Sequence, residues 1–256
     1  VYGVLVGKKP LIFTNNDSAY ETAIEFKKNG INPIVLDSRK ELNSDLITEA
    51  KNLGIDIKFE HVVVNANGYR KVKSADIAKI SEDKTNLGKI ENIACDCICV
   101  SGFWTPTIHL ASQSGGKTKF NEDIDAFIPS QSKQNETTVG SANGIFNLND
   151  TLKNSFEAGY ELSKKITSKE NKLSVPAVVE KKNSKHDKFW CVPLPKGKKY
   201  KRFLDFQNDV AVSDIELALR EGYRSIEHVK RYTTLGMATD QGKTCLLYTS
   251  DAADES

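Results

Sequence analysis

The sequence predicts an α/β protein: a body built on a parallel sheet, followed by a small α-rich module. Three observations carry that expectation. Between Pro10 and Phe59 short apolar runs alternate with amphipathic stretches, the pattern of parallel strands joined by crossover helices. A glycine-bounded turn, Gly140 to Gly144, opens onto a long segment with a 3.6-residue apolar period. Beyond Phe189 the chain is basic and breaks into two brief helical patterns. Apolar content of 39% and charged content of 27% are those of a packed globular protein. A formal net charge of +2 gives no overall field toward nucleic acid or an acidic membrane. No apolar run approaches the roughly 20 residues that span a bilayer. A cytoplasmic protein with no nucleic-acid or membrane partner is expected.

Pro10 to Asn16 reads as a buried strand running into Asp17 as N-cap, then a helix with Ala19, Ala23, Ile24 and Phe26 inward. Lys27 and Lys28 suit its last turn and Gly30 its stop. Pro33 to Leu36 is a second strand ending in Asp37. A helix from Ser44 to Leu53 stops at Gly54, and Ile55 to Phe59 is a third strand. This β-α-β-α-β run requires right-handed crossovers. A meander follows: His61 to Val64, then Lys71 to Ile80, turned at Asn67-Gly68, then Glu91 to Val100. Residues 1–102 are thus organised as a nucleotide-type domain with a β-meander.

Gly102 to Gly116 is a crossing segment. Phe120 to Ile128 resembles a short strand and turn, and Thr137 to Val139 a last strand. Asn147 is expected to cap the next helix with Asp150 as its reciprocal partner. Leu148, Leu152, Phe156, Leu162 and Ile166 form that helix's expected buried stripe. Residues 167–188, rich in Lys, Ser and Asn, read as a linker. Residues 189–244 form the small module. Ser213-Asp-Ile-Glu216 reads as a capping box for its first helix and Ser225 as the cap of its second.

Cys95, Cys97 and Cys99 alternate on one expected strand and so share a face; with Cys191 and Cys245 they are expected to be reduced thiols. The only methionine is Met237, so Val1 reads as a cut point. Residues 245–256 resemble a translated sequencing adaptor and are expected to pack against nothing.

In a dinucleotide fold the first strand-to-helix turn carries Gly-x-Gly-x-x-Gly. Here it is Thr14-Asn-Asn-Asp-Ser-Ala19, which neither lets a backbone approach a pyrophosphate nor offers it a favourable charge at Asp17. Asp37 stands about 20 residues on, where a ribose is held. Scaffold is the expected role of this domain. The Gly140 to Gly144 turn before a helix start is either an anion site or a plain loop. His61 and His109 read as satisfied structural histidines. Lys230 and Arg231, beside His228, are either a solvated basic face or groups aimed at a phosphate. The basic loop Lys196 to Arg202 has no nucleic-acid signature around it.

Three stretches resemble one family, the alpha subunit of heterotetrameric sarcosine oxidase. They are Phe13-Thr-Asn-Asn-Asp-Ser-Ala-Tyr20, the segment Val100 to Lys117 beginning Val100-Ser-Gly-Phe-Trp-Thr-Pro, and Asp205-Phe-Gln-Asn-Asp-Val210 together with Ile226 to Thr244. The resemblance implies a flavoenzyme oxidising sarcosine with oxygen to glycine and, with tetrahydrofolate, methylenetetrahydrofolate. It implies partner beta, gamma and delta subunits, with FAD and sarcosine on beta, FMN at the alpha–beta interface, and folate in a further domain of alpha. By the same resemblance this chain is an internal piece of alpha. Residues 1–102 would be its second dinucleotide-type domain. Residues 103–166 would return to a disulfide-reductase-like NAD domain, whose glycine-rich loop lies upstream. Gly140, Asn143, Leu148 and Asp150 would then contact NAD.

The last module resembles the iron–sulfur module of related dehydrogenases without its cysteines, since Asp205 to Asp209 stands at the first pair. Arg231, Thr234 and Lys243 would face the FMN phosphate instead. No catalytic residue and no metal ligand is expected in this chain. Alternatives left open are the alpha subunit of a heteromeric amine, proline or opine dehydrogenase, and a non-enzymatic binding module.

Overall fold

The computed structural model describes residues 4–102, 104–167, 174–176, 178, 187–198 and 200–239. The adaptor-like tail, Lys243 and most of the expected linker lie outside the described residues. The chain divides into two compact units, Val1–Phe103 with Lys181–Tyr200, and Trp104–Glu180 with Lys201–Ser256.

The first unit begins β1 (Pro10–Thr14), α1 (Ser18–Lys28), β2 (Ile34–Asp37), α2 (Asp45–Asn52) and β3 (Asp56–Phe59). It continues through β4 (His61–Gly68), β5 (Val72–Ile80), β6 (Leu87–Ala94) and β7 (Cys97–Ser101). The parallel sheet has the order β3-β2-β1-β7, and β4-β5-β6 form the antiparallel meander. Both faces of the parallel sheet are covered, which is why its strands read as unbroken apolar runs. Ile12 and Val35 pack under Ala19, Ala23, Ile24, Leu46, Ile47 and Ala50 of the helices. Leu11 and Leu36, one residue out of phase, pack against Ala75, Ile77 and Cys95. Each fully buried aliphatic side chain contributes about 1.5–3 kcal/mol.

Local signals set the helix limits. Ser44 Oγ accepts from the Ile47 amide at 3.3 Å, capping α2, and Gly54 closes it at φ 68°. Gly30, at φ 77°, ends α1. The expected Asp17 cap is corrected: Asp17 makes no capping bond, and Asn16 Oδ1 accepts from the Ser18 amide at 3.0 Å and from the Ser18 hydroxyl at 2.6 Å. Asp17 is drawn away by an arginine that sequence spacing does not place beside it.

The expected Glu91–Val100 strand is two strands in different sheets. Asp96 breaks it by accepting from the Lys8 and Lys9 amides, each at 2.8 Å. These bonds hold the Asp96 carboxyl below its usual range. The three cysteines therefore do not share a face. Cys95 packs on the meander side and Cys99 on the helix side, with Cys97 Sγ 3.8 Å from Cys99 Sγ. All described cysteines are free thiols. Burial, with Cys97 close by, pushes the Cys99 thiol up to about 12.

A thiol with a raised folded pKa favours folding below its unfolded value of about 8.5 and loses that contribution as pH rises toward 12. At pH 8, iodoacetamide is expected to label the exposed Cys191 while Cys95 and Cys99 stay unmodified, read by peptide mass. Labelling of Cys99 at the rate of Cys191 would contradict this.

The second unit holds α3 (His109–Gln113), the hairpin β8 (Lys117–Asn121) and β9 (Ala126–Gln131), a 3-10 turn (Gly140–Asn143) and α4 (Leu148–Thr167). Its later part is β10 (Phe203–Asp205), β11 (Val210–Ala211), α5 (Val212–Arg220) and α6 (Ile226–Thr233). Three expectations are corrected. Thr137 to Val139 is not a strand: Val139 has extended torsions, but the segment pairs in no described ladder. The α4 stripe is not buried, Leu148 being 53% and Ile166 81% exposed. The apolar period identifies a face but not what lies on it. The α5 box is shifted: Ala211 holds the cap position and Asp214 Oδ2 accepts from its amide at 2.8 Å, while Glu216 pairs with Arg202 at 3.4 Å.

Candidate functional site

In the first unit the carboxyl ends of the parallel strands are where an α/β sheet binds ligands. At the ends of β1 and β2 that place is filled by side chains. Arg39 Nε donates to Asp37 Oδ1 at 2.9 Å and its terminal nitrogen to Asp37 Oδ2 at 2.8 Å, a two-point fork. The same nitrogen reaches Asp17 Oδ1 at 2.7 Å. Tyr20 Oη donates to Asp37 Oδ2 at 2.8 Å. Asp37 is 0% exposed, and Arg39, Asp17 and Tyr20 are buried with it.

Burial alone would lower the Arg39 pKa, but the hydrogen bonds and charges of Asp37 and Asp17 raise it above its ordinary value. Burial, the Asp37 charge and the bond to Asp37 raise the Tyr20 phenol. Asp37, placed by sequence to hold a ribose, has both oxygens engaged inside the protein. The sequence reading missed Arg39 and Tyr20. The signal was present in Asp37-Ser-Arg39, where same-side residues follow a strand end, but pairing to Asp17 is a tertiary fact.

In the second unit the Gly140 to Gly144 turn forms as a 3-10 turn, Gly140–Asn143. Gly140 sits at φ 64° and Gly144 at φ 78°. A Cβ on Gly144 would lie 2.7 Å from Ile124 Cδ1 and 2.9 Å from Ile128 Cγ2, so both side chains would have to shift, and the positive φ itself favours glycine. The Gly140 amide donates to Asn154 Oδ1 at 3.2 Å, and the Ile145 amide to Gly140 O at 3.1 Å. Asn147 Oδ1 accepts from the Asp150 amide at 2.9 Å, forming the expected cap of α4. Asn149 clasps the Val178 backbone, Nδ2 to O at 2.9 Å and N to Oδ1 at 3.2 Å. Gly140, Asn143, Leu148 and Asp150 are therefore gathered within one turn and helix start, with Leu148 and Asp150 at the surface. The positive end of the α4 dipole lies there.

In the C-terminal module the organising group is Asp205, 0% exposed. Its Oδ1 accepts from the Gln207 and Asn208 amides at 2.9 and 3.2 Å, and its Oδ2 from the Gly236 amide at 2.9 Å. Asn208 Nδ2 donates to Thr234 O at 2.8 Å, with Asp209 and Thr234 both at positive φ. Arg231 is 75% exposed on its side chain and lies 3.7 Å from Glu227. The Thr234 hydroxyl donates to the Thr233 carbonyl at 2.6 Å. Lys243 lies outside the described residues. Among the described residues no group of three or more His, Cys, Asp or Glu is placed to hold a metal, and no helix is long and apolar enough to cross a membrane.

The parallel sheet with its helices and meander, followed in the chain by a helical module, defines an α/β protein. The family model for the sarcosine oxidase A3 domain matches residues 199–256. The sarcosine oxidase subunit alpha of Rhizobium meliloti (strain 1021) is 34% identical over 248 residues, covering 94% of this chain and 23% of that protein. The subunit alpha of Corynebacterium sp. (strain P-1) is 31% identical over 254 residues, covering 95% of this chain and 25% of that protein. L-Proline dehydrogenase from P. horikoshii covers 96% of this chain and 44% of that one at 18% identity and a TM-score of 0.45, a level that carries no weight for function. The chain belongs to the sarcosine oxidase family and is alpha-subunit-like along nearly its whole length. It spans about a quarter of the length of the curated relatives it matches.

Proposed function

We propose that this chain works within a cytoplasmic flavoenzyme that oxidises sarcosine with oxygen. The products would be glycine, hydrogen peroxide and formaldehyde, or methylenetetrahydrofolate when tetrahydrofolate is present. The observation that carries this reading is similarity along about 95% of the chain to proteins named sarcosine oxidase subunit alpha. The partners would be beta, gamma and delta subunits, with FAD and sarcosine on beta and folate in a further domain of alpha.

In this reading residues 1–102 are a second dinucleotide-type domain serving as scaffold. Residues 103–166 complete a disulfide-reductase-like NAD domain, 167–188 link it onward, 189–244 form the small module and 245–256 an adaptor-derived tail. The closed Asp17–Arg39–Asp37 cluster supports the scaffold role, because it occupies the place a phosphate would need. Gly140 and Asn143 would hold NAD at the turn, with Leu148 and Asp150 bordering it. The positive-φ glycines and the start of α4 suit an anionic group. Asp150 is the ill-matched member beside a pyrophosphate, and its amide already serves the cap.

FMN would lie at the alpha–beta interface, with Arg231, Thr234 and Lys243 toward its phosphate. The exposed Arg231 guanidinium suits a doubly hydrogen-bonded phosphate. Bound flavin would supply electron transfer from the amine; this chain's residues would bind and orient. The assembly purified with this chain is expected to consume oxygen on sarcosine and to contain flavin and NAD but no iron. Iron together with oxidation of proline or an opine would favour a related dehydrogenase, and absence of flavin, NAD and turnover would reject an enzymatic role.

A further inference from the structure

In the second unit a cavity of about 430 Å³ lies beside the Gly140–Asn143 turn. Asn143, the last residue of that turn, forms part of its wall. Ile128 and Pro129 give it an apolar side, and Lys119 and Glu136 are its charged members. The volume falls within the roughly 300–1,000 Å³ of ligand sites. Glu136 is half-buried and held in place: its Oε1 accepts from the Ser132 hydroxyl at 3.0 Å and from the Ser114 hydroxyl. Its Oε2 has no partner, yet it is not shut off from solvent. Lys119, exposed on β8, forms no ion pair with a described residue. Two opposite charges thus border one cavity, and neither is matched.

Those charges select the ligand. A fixed carboxylate oxygen only accepts, so it calls for hydroxyl donors or a cation. A free ammonium calls for an anion. The nicotinamide mononucleotide half of oxidised NAD carries all three in order: a cationic ring, a ribose with its hydroxyls, and a phosphate. The adenosine half has no cation. In dinucleotide folds the diphosphate and the adenosine ribose are served by the glycine-rich loop and by an acid about 20 residues on, and residues 104–166 carry no such loop.

We propose that, given the placement of NAD at the Gly140–Asn143 turn on which this assignment rests, the cavity receives the nicotinamide ribose. Its hydroxyls meet Glu136 Oε2, the cationic ring lies beside the same carboxylate, and the phosphate faces Lys119. A carboxylate in that place favours a cationic ring over an uncharged end.

The test uses the assembled complex. NAD is released with acid and measured by chromatography in the parent and in Glu136→Gln. The glutamine keeps one oxygen for Ser114 and Ser132 but removes the charge. Melting temperature and subunit composition should therefore hold while bound NAD falls about tenfold. Each complex is also dialysed against NAD and ADP-ribose in equal excess, and the bound amount of each is measured. The parent is expected to prefer NAD by about tenfold or more, and Glu136→Gln to bring the two within about twofold, a change that a purely structural role for Glu136 would not produce. Lys119→Met should weaken both alike, by about threefold, because both carry the phosphate. A parent complex without NAD would reject the placement of NAD itself, and this assignment with it. A parent that carries NAD, with Glu136→Gln at the parent level or still preferring NAD tenfold over ADP-ribose, would overturn only the part given to this cavity.

Discussion

Replacing Arg39 with alanine is expected to destabilise the first unit by about 3–5 kcal/mol, because it leaves two carboxylates in the interior without their cation. Asp37 is fully buried and Asp17 nearly so. Neither can regain water without opening the β1–α1 turn. Arg39→Lys is expected to recover less than half of the loss. One ammonium is a point donor, whereas the guanidinium spans Asp37 Oδ1, Asp37 Oδ2 and Asp17 Oδ1 at 2.9, 2.8 and 2.7 Å. The consequence should be local. Hydrogen exchange in peptides covering 10–39 should accelerate strongly in Arg39→Ala, while peptides covering 203–236 should be unchanged. Equal protection of 10–39 in variant and parent would mean that the cluster contributes little to the fold.

Asp205→Ala should have an effect of similar size in the other unit, about 3–5 kcal/mol. The carboxylate holds three backbone amides at once, and it joins the β10–β11 turn to the loop beyond α6 through Gly236. Without it those amides face an apolar methyl group. Asp205→Asn should recover part of the loss, since one oxygen can still serve Gln207 and Asn208 while the new amide opposes the Gly236 donor. Exchange across 203–236 should quicken in the alanine variant, with residues 10–39 unaffected. If the assembly carries FMN near Arg231 and Thr234, its flavin content should fall in the same variant, since Asn208 and Gly236 hold that loop in place.

Much of the first unit was legible in the sequence because its signals are local. Ser44 before an apolar run caps α2, Gly30 and Gly54 stop their helices, and the unbroken apolar strands place a parallel sheet between two covered faces. What could not be read was tertiary. An aspartate before a helix is a good cap only when nothing stronger competes for it, and Arg39 does compete for Asp17. Alternation of Cys95, Cys97 and Cys99 suggested one face, but the Asp96 bonds to Lys8 and Lys9 break the strand and send Cys95 to the opposite side.

The same limit applies to the candidate sites. The Gly140–Gly144 turn and the Asn147 cap were visible as glycine spacing and an Asn-x-x-Asp pattern. The α4 stripe was also visible, but periodicity does not report exposure. Asp205 looked only like a residue standing where a cysteine might be; its three amides converge from segments far apart in the chain.

The proposed place for NAD is the turn at Gly140–Asn143, and not the cluster at the ends of β1 and β2. It is tested most directly by the NAD content of the purified assembly after a single negative charge is placed at each turn. Asn143→Asp puts that charge beside the α4 start, and Ser18→Asp puts it at the first residue of α1. Asn143→Asp is expected to lower bound NAD at least tenfold at unchanged subunit composition, while Ser18→Asp leaves it at the parent level. Full NAD in Asn143→Asp, with loss confined to Ser18→Asp, would contradict it.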